Sequence, residues 1–210
     1  MITNVYVDGF NLFYGCLKGS PYKWLDLDAL SRRLLPGHDI HRIRYFTAKV
    51  AARPDDPDGP NKQHFYLRAL ATIPHLSIHL GRFQQKRVRM RLACPPSRGP
   101  VTVEVIKTEE KGSDVNLATY LLADSFRGDC QVAVVVSNDA DLAEPIRMVC
   151  HEIGLRVGVV NPHGVHRRSA DLRAAAPTFF RQIRPSVLGT CQFPEKLEDS
   201  QGEIRRPAAW

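Results

Sequence analysis

Residues 131–142 read QVAVVVSNDADL, and this stretch decides the fold class. The run at 131–136 is apolar, rich in valine and without a helical period, which predicts a short strand buried on both faces. Asp139 and Asp141 follow it, so they lie where the chain leaves the carboxyl end of a core strand. Because ligands of open α/β sheets bind at that edge, the stretch predicts an α/β protein with a carboxylate-bearing site.

Two further carboxylates are predicted at the same edge. NVYV at 4–7 predicts another strand, which Asp8 and Gly9 end. Asp114 falls in the first turn of a helix predicted at 113–125, on the stripe of Ala118 and Leu121 that faces the core. Each aspartate alone could be an ordinary cap or turn residue. Carboxylates that cluster repel unless a cation neutralises them, and oxygen-only ligands favour Mg²⁺ or Mn²⁺ over zinc.

Strands and helices alternate along the chain, which predicts a three-layer α/β/α fold with a central, mainly parallel sheet. We expect one domain over 1–184, with a basic excursion at about 82–103. From 185 to 210 the composition is polar with no apolar period, so this segment is predicted to be a mobile C-terminal tail.

Composition narrows the functional classes. The net charge of +7 and the pI of about 9.3 favour a polyanionic partner without requiring one. Five cysteines without a C-x-x-C pair predict reduced thiols rather than structural zinc or disulfides. Neither a signal peptide nor an apolar run near the ~18 residues of a membrane span is found, so we expect a cytoplasmic protein with no membrane partner.

Three ordered blocks resemble one protein family. VDGFNL at 7–12, EKGSDVNLA at 110–118 and VVSNDADL at 135–142 are similar to the signature blocks of NYN-domain proteins, in the LabA-like branch of the PIN-like nuclease superfamily. The resemblance implies a PIN-like fold and a metal-dependent ribonuclease that uses Mg²⁺ or Mn²⁺. By position it implies that the catalytic and metal-binding residues are Asp8, Asp114, Asp139 and Asp141, with Asn11 and Ser137 in support.

The chain departs from the family pattern at two places. Asn138 occupies a position where the family usually has glycine, and we expect no consequence. Ala176 and Pro177 stand where the family often has Ala-Asp, so no acidic residue is expected to act from there.

A basic segment suggests how nucleic acid could be held. Residues 59–103 contain no aspartate or glutamate, and in the excursion Arg87, Arg89 and Arg91 alternate with apolar residues. A strand with one cationic face suits phosphate contact, although charge that protects an edge strand from aggregation gives the same pattern. The predicted nucleic-acid-binding residues are Arg82, Lys86, Arg87, Arg89, Arg91, Arg167 and Arg168.

Other residues leave alternatives open. Tyr66 and Phe83 could stack on bases, although a core position is the commoner role of such aromatics. His163 and His166 follow the strand predicted at 155–160 and could contact substrate or metal from a surface loop.

The sequence thus favours a metal-dependent endoribonuclease acting on single-stranded RNA through metal-activated water. Two alternatives stay open: a non-catalytic RNA-binding or regulatory module with the same fold, and a DNA nuclease. The sequence also leaves a homo-oligomer open.

Overall fold

A seven-stranded sheet forms the centre of the protein in the computed structural model, which describes residues 1–175, 177–208 and 210. Its strands follow the order β4-β3-β2-β1-β5-β6-β7, and a separate hairpin pairs β8 with β9. The strands are β1 (Ile2–Asp8), β2 (Asp39–Ala48), β3 (Leu76–Arg91), β4 (Thr102–Lys111), β5 (Val132–Val136), β6 (Arg156–Asn161), β7 (Phe179–Gln182), β8 (Lys196–Asp199) and β9 (Gly202–Arg205).

Helices cover both faces of this sheet. They are α1 (Gly9–Leu12), α2 (Leu27–Leu34), α3 (Gly59–Ala71), α4 (Ser113–Phe126), α5 (Ala143–Met148), α6 (Ala170–Ala174) and α7 (Pro185–Thr190). Wider π-helical turns extend α1 over Phe13–Leu17 and α5 over Val149–Ile153. In the part of the chain that is described, none of these helices has the length and apolar character needed to cross a membrane.

The predicted three-layer architecture is confirmed. Within the central sheet, every neighbouring pair of strands is parallel except β3 and β4, which are antiparallel. Side chains of α1, α2, α3 and α7 join one apolar core, and those of α4, α5 and α6 join the other. The sheet therefore lies between two helical layers.

Strand β5 shows why the valine-rich run folds this way. Val132, Val134 and Val136 enter the first core, while Ala133 and Val135 enter the second, and all five are buried. A strand covered on both faces needs apolar residues at successive positions, which explains the absence of alternation in the sequence. The first polar residues then appear where the strand ends.

Register sets the location of the site. Strands β1 and β5 are parallel neighbours in which Val7 lies opposite Val136. The next residues, Asp8 and Ser137, therefore emerge side by side at the carboxyl edge of the sheet.

The predicted basic excursion is an antiparallel hairpin. β3 and β4 pair from Arg82 with Lys111 to Arg91 with Thr102. This places the arginine-rich arm opposite an arm that carries Glu104, Glu109 and Glu110, so the hairpin is less uniformly basic than the run 59–103 alone suggests.

The structure differs from the prediction of a mobile tail at 185–210. The segment forms α7 and the β8–β9 hairpin, and its Leu188, Phe193 and Ile204 are buried in the first core. Asp199 pairs with Arg68 of α3 at 2.5 Å. The apolar residues show no period because each short element contributes only one or two of them, and this is why the sequence pattern was misleading. No break in packing marks the expected boundary at 184, since Ile183 belongs to the same core.

We expect removal of residues 185–210 to destabilise the protein severely. Burial of a large apolar side chain contributes about 1.5–3 kcal/mol, and three such side chains approach the 5–15 kcal/mol that stabilises a typical domain. Thermal unfolding of the truncated chain should show a strongly lowered Tm or no folded protein, and Ile204→Ala should show an intermediate loss. A truncated chain with an unchanged Tm would contradict this packing.

Candidate metal centre

Three of the four predicted aspartates converge at the carboxyl edge of the sheet. Asp8, Asp114 and Asp139 each present a carboxylate oxygen, and these oxygens lie within 4.8 Å of one another. Asp8 is buried and the other two are half-buried. We refer to these three residues as the acidic trio.

Asp8 is held by hydrogen bonds to both of its carboxylate oxygens. Its Oδ1 accepts from the backbone N–H of Asn11 at 2.9 Å, which caps α1, and its Oδ2 accepts from the Ser137 hydroxyl at 2.9 Å. The Ser137 oxygen in turn accepts from the N–H of Asp139 at 3.1 Å. Asp8 is therefore both a capping residue and a member of the trio, so the two interpretations are compatible.

Asp139 and Asp114 complete the trio. Asp139 caps a short 3₁₀ turn (Ala140–Leu142), and its Oδ1 accepts from the N–H of Asp141 at 3.0 Å. Asp114 is the second residue of α4, and the φ of 104° at the preceding Gly112 lets the chain turn sharply from β4 into the helix.

Asp141 is not part of the trio. It is exposed on the 3₁₀ turn, yet it lies close enough to Asp114 to raise the pKa of that carboxyl. The structure thus places the fourth predicted aspartate beside the cluster rather than within it.

Burial and mutual repulsion raise the pKa values of two of these carboxyls, those of Asp8 and Asp114. Burial is the main cause that raises the pKa of Asp8 to about 7, and the neighbouring Asp114 and Asp139 raise it further against the effect of its hydrogen bonds. The pKa of Asp114 is also raised, first by burial and then by Asp139, Glu110 and Asp141. Such a site gains from a cation that offsets the concentrated negative charge.

Two residues that support the site were not predicted. Glu110, the penultimate residue of β4, accepts hydrogen bonds from the backbone N–H and the hydroxyl of Ser113, which fixes the start of α4 beside Asp114. The sequence contains an indication of this role, because Glu110 lies three residues before Ser113, where the helix begins.

Asn138 is the other unpredicted residue. Its backbone N–H donates to Oδ1 of Asn11 at 2.9 Å, while its side chain bonds the carbonyl of Arg167 and the N–H of Ser169. It therefore joins the acidic turn to the 161–169 loop, contrary to the expectation that this departure from the family has no consequence. The second departure involves Ala176, which lies outside the described residues.

Arg87, Arg89 and Arg91 form a row on one face of the β3–β4 hairpin, and we call this row the arginine face. Alternation along β3 puts Arg87, Arg89 and Arg91 on the same face as Phe83. The Phe83 ring contacts Phe10 at 5.6 Å between centroids, and Phe10 is two residues from Asp8. Directly opposite Phe83 in the hairpin is Glu110, which bonds the start of α4. This arginine face is therefore continuous with the edge that carries the trio.

The other predicted cationic residues lie elsewhere. Arg82 and Lys86 alternate onto the opposite hairpin face, where Lys86 lies 3.7 Å from Glu109. Arg167 is exposed in the loop that Asn138 holds against the acidic turn, and the Arg168 guanidinium lies 5.7 Å from the centroid of the Phe180 ring.

Histidines do not contribute to the acidic group. Among residues 1–175, 177–208 and 210, the side chains that converge at metal-binding spacing are the three aspartates alone. His163 packs near Gly15, where a Cβ would lie 3.0 Å from its ring, and His166 is exposed.

An aromatic cleft of about 490 Å³ opens next to the trio. It begins at Gly9, the residue after Asp8, where an added Cβ would lie 2.7 Å from both the Tyr45 ring and the Phe46 carbonyl. Only glycine fits this close approach, which explains the Asp-Gly pair in the first signature block. Six aromatic residues line the cleft: Phe10, Phe13, Tyr14, Tyr45, Tyr66 and Trp210.

Known proteins resemble this chain in domain, in sequence and in fold. The NYN domain profile matches residues 2–183. The chain is 34% identical over 235 residues to 6-hydroxy-3-succinoylpyridine 3-monooxygenase HspA of Pseudomonas putida (strain DSM 28022 / S16), an alignment that covers 99% of this chain and 75% of that protein. The crystal structure of a protein of unknown function from Vibrio parahaemolyticus RIMD 2210633 superposes with a TM-score of 0.55 at 15% identity, covering 88% of this chain and 93% of that one.

The profile match spans all three signature blocks and the elements that position the trio, namely β1, α4 and the turn after β5. It concerns the domain as a whole, so the narrower LabA-like assignment stays a prediction. The chain belongs to the NYN-domain family, within the PIN-like nuclease superfamily.

Proposed function

We propose that this protein is a metal-dependent endoribonuclease that hydrolyses single-stranded RNA. The observation that carries the proposal is the convergence of three carboxylates at the ligand-binding edge of the sheet, in a member of a nuclease superfamily. The donor set consists of oxygen atoms alone, which suits Mg²⁺ or Mn²⁺.

The trio and Asp141 have separate roles in this proposal. Asp8, Asp114 and Asp139 would hold the cation, which supplies charge neutralisation at the phosphate and activation of a water. Asn11 and Ser137 fix the carboxylate of Asp8 through their hydrogen bonds. Asp141, exposed beside Asp114, orients the attacking water.

Hydrolysis then needs no side-chain nucleophile. The water oxygen bonds to phosphorus, the bond between phosphorus and the 3′ oxygen breaks, and the leaving oxygen takes up a proton. The products carry a 5′-phosphate and a 3′-hydroxyl.

The β3–β4 hairpin is proposed to guide the RNA strand towards the trio. Successive arginines of the arginine face are two residues apart, which corresponds to about 6.6 Å along β3. Glu104 lies opposite Arg89 and offsets part of the charge, so Arg87 and Arg91 are the stronger phosphate contacts.

Replacement of Arg87, Arg89 and Arg91 by serine should weaken RNA binding for all sequences alike, because phosphate contacts carry no base information. Each phosphate that is no longer neutralised flattens the salt dependence for a single strand by about 0.7, so the slope of log K against log salt should change by about 2. The measurement is affinity at several salt concentrations, with Arg173→Ser on α6 as control. A soluble triple variant with the wild-type slope would instead indicate that these charges protect an edge strand from aggregation.

The name of the Pseudomonas relative raises a second candidate, oxygenation of a substituted pyridine. The observation that favours it is the aromatic cleft, whose volume of about 490 Å³ suits a small heteroaromatic molecule. The carboxylate trio favours hydrolysis, because non-haem iron oxygenases usually combine one carboxylate with two histidines.

One panel separates the candidates. We expect the purified protein to cleave single-stranded RNA with Mg²⁺ or Mn²⁺ and not with EDTA, with duplex RNA and single-stranded DNA as parallel substrates. Cleavage of DNA alone would indicate a DNA nuclease, and binding without cleavage would indicate a regulatory module. Consumption of 6-hydroxy-3-succinoylpyridine with oxygen and an added two-electron reductant, without RNA cleavage, would favour the oxygenase.

A further inference from the structure

We infer that the aromatic cleft beside the trio is a nucleotide-binding subsite. In this assignment a nucleobase of the substrate strand packs on the aromatic wall, and its phosphate lies against lysines at the mouth. The inference rests on the proposed function and identifies what holds the strand next to the reacting phosphate.

Aromatic side chains form the walls and floor of the cleft. Tyr45 and Tyr66 are buried and form the floor, with their ring centroids 6.3 Å apart. Trp210 contacts Tyr66 at 5.7 Å and closes one side. Tyr14 is half exposed at the mouth, where its ring contacts Phe13 at 5.4 Å. An exposed aromatic face is what a nucleobase stacks on, whichever base it is.

The charges of the cleft suit a phosphate. Lys18, Lys23, Arg53 and Lys62 line it, against the two carboxylates of Asp55 and Asp56. Lys62 pairs with Asp56 at 2.7 Å. Lys18 lies 5.0 Å from the centroid of the Tyr14 ring, so a cation and a stacking surface meet at the mouth.

The cleft adjoins the segment that carries Asp8. Gly9 and Phe10 line the cleft, and Gly9 directly follows Asp8 of the trio. Phe10 also contacts Phe83 at the base of the arginine face. Phe10 therefore joins the cleft to the strand that carries the arginines, and both adjoin the segment that bears Asp8.

Nucleotide binding in EDTA tests this inference without cleavage. The protein has two tryptophans, and both lie at the cleft or against it: Trp210 lines it and Trp24 contacts Trp210. We expect AMP or CMP to change tryptophan fluorescence saturably and ribose 5-phosphate to bind at least about 5-fold more weakly, since base–aromatic stacking contributes about 1–3 kcal/mol. Tyr14→Ala should weaken AMP binding by a similar factor, and Phe126→Ala, which removes an exposed ring on α4, should not.

The contrary results are equally specific. AMP that leaves the fluorescence unchanged, or that binds Tyr14→Ala as it binds the wild type, overturns the subsite. So does 6-hydroxynicotinate, a pyridine carboxylate, binding more than about tenfold tighter than AMP, a preference of about 1.4 kcal/mol. If AMP binds as expected but RNA is never cleaved, only the nuclease proposal fails. If RNA is cleaved and Tyr14→Ala leaves both KM and AMP affinity unchanged, only the subsite fails.

Discussion

Asp8→Asn should abolish RNA cleavage while RNA binding persists. The substitution keeps the shape of the side chain, and its Oδ1 can still accept from the N–H of Asn11. It removes the buried negative charge that would hold the cation, so we expect a loss in kcat on the order of 10²-fold or more, the size seen when one preorganised electrostatic group is removed from an active site. Asp139→Asn should behave in the same way.

Asp39→Asn provides the matched control. Asp39 is exposed at the start of β2, so the substitution makes the same chemical change at the opposite end of the sheet. Cleavage rates under saturating Mn²⁺ and RNA affinities in EDTA are the measurements. Full activity of Asp8→Asn would place the chemistry outside the trio, and loss of RNA binding together with activity would indicate a folding defect.

The second large effect is stabilisation by metal. A ligand that binds only the folded state at 100 times its Kd contributes about 2.7 kcal/mol. For a chain of this size each kcal/mol raises the Tm by about 2–4 °C, so saturating Mn²⁺ should raise it by roughly 5–10 °C. Asp8→Asn should lose most of this response. A flat Tm across a millimolar titration of wild-type protein would argue against the site.

The pH dependence of this effect has a definite sign. The pKa of Asp8 is about 7 in the folded protein, above its usual value of 3.8, so the folded state binds more protons than the unfolded state between these values. Stability without metal therefore falls as pH rises from about 4 to about 7, by a few kcal/mol at most. We expect metal to raise the Tm more at pH 8 than at pH 5, and the metal-free Asp8→Asn variant to lose less stability over that interval.

Local sequence patterns predicted the central sheet and the placement of the trio well. The short, β-branched valine run forms β5, which is covered on both faces, and parallel neighbours bring the residues after β1 and β5 to one edge. Capping chemistry is equally local: Asp26 directly precedes α2 and caps it, accepting from the N–H groups of Asp28 and Ala29. These features depend on residues close together in the chain.

Features built from distant segments were not predictable in this way. Tyr45, Tyr66 and Trp210 line one cleft but come from β2, α3 and the C-terminal segment. Asp141 matches the family pattern, yet the 3₁₀ turn exposes it outside the trio. The segment 185–210 packs through scattered apolar residues on short elements, which leave no period for the sequence to show.

The chemistry at the cut ends of RNA tests the central claim most directly. In the proposed reaction water attacks phosphorus and the 3′ oxygen departs, which leaves a 5′-phosphate on one fragment and a 3′-hydroxyl on the other. End labelling and mass spectrometry of fragments produced with Mn²⁺ should therefore show these two ends. Fragments with a 2′,3′-cyclic phosphate and a 5′-hydroxyl would show that the ribose 2′ oxygen is the nucleophile, and would contradict the account.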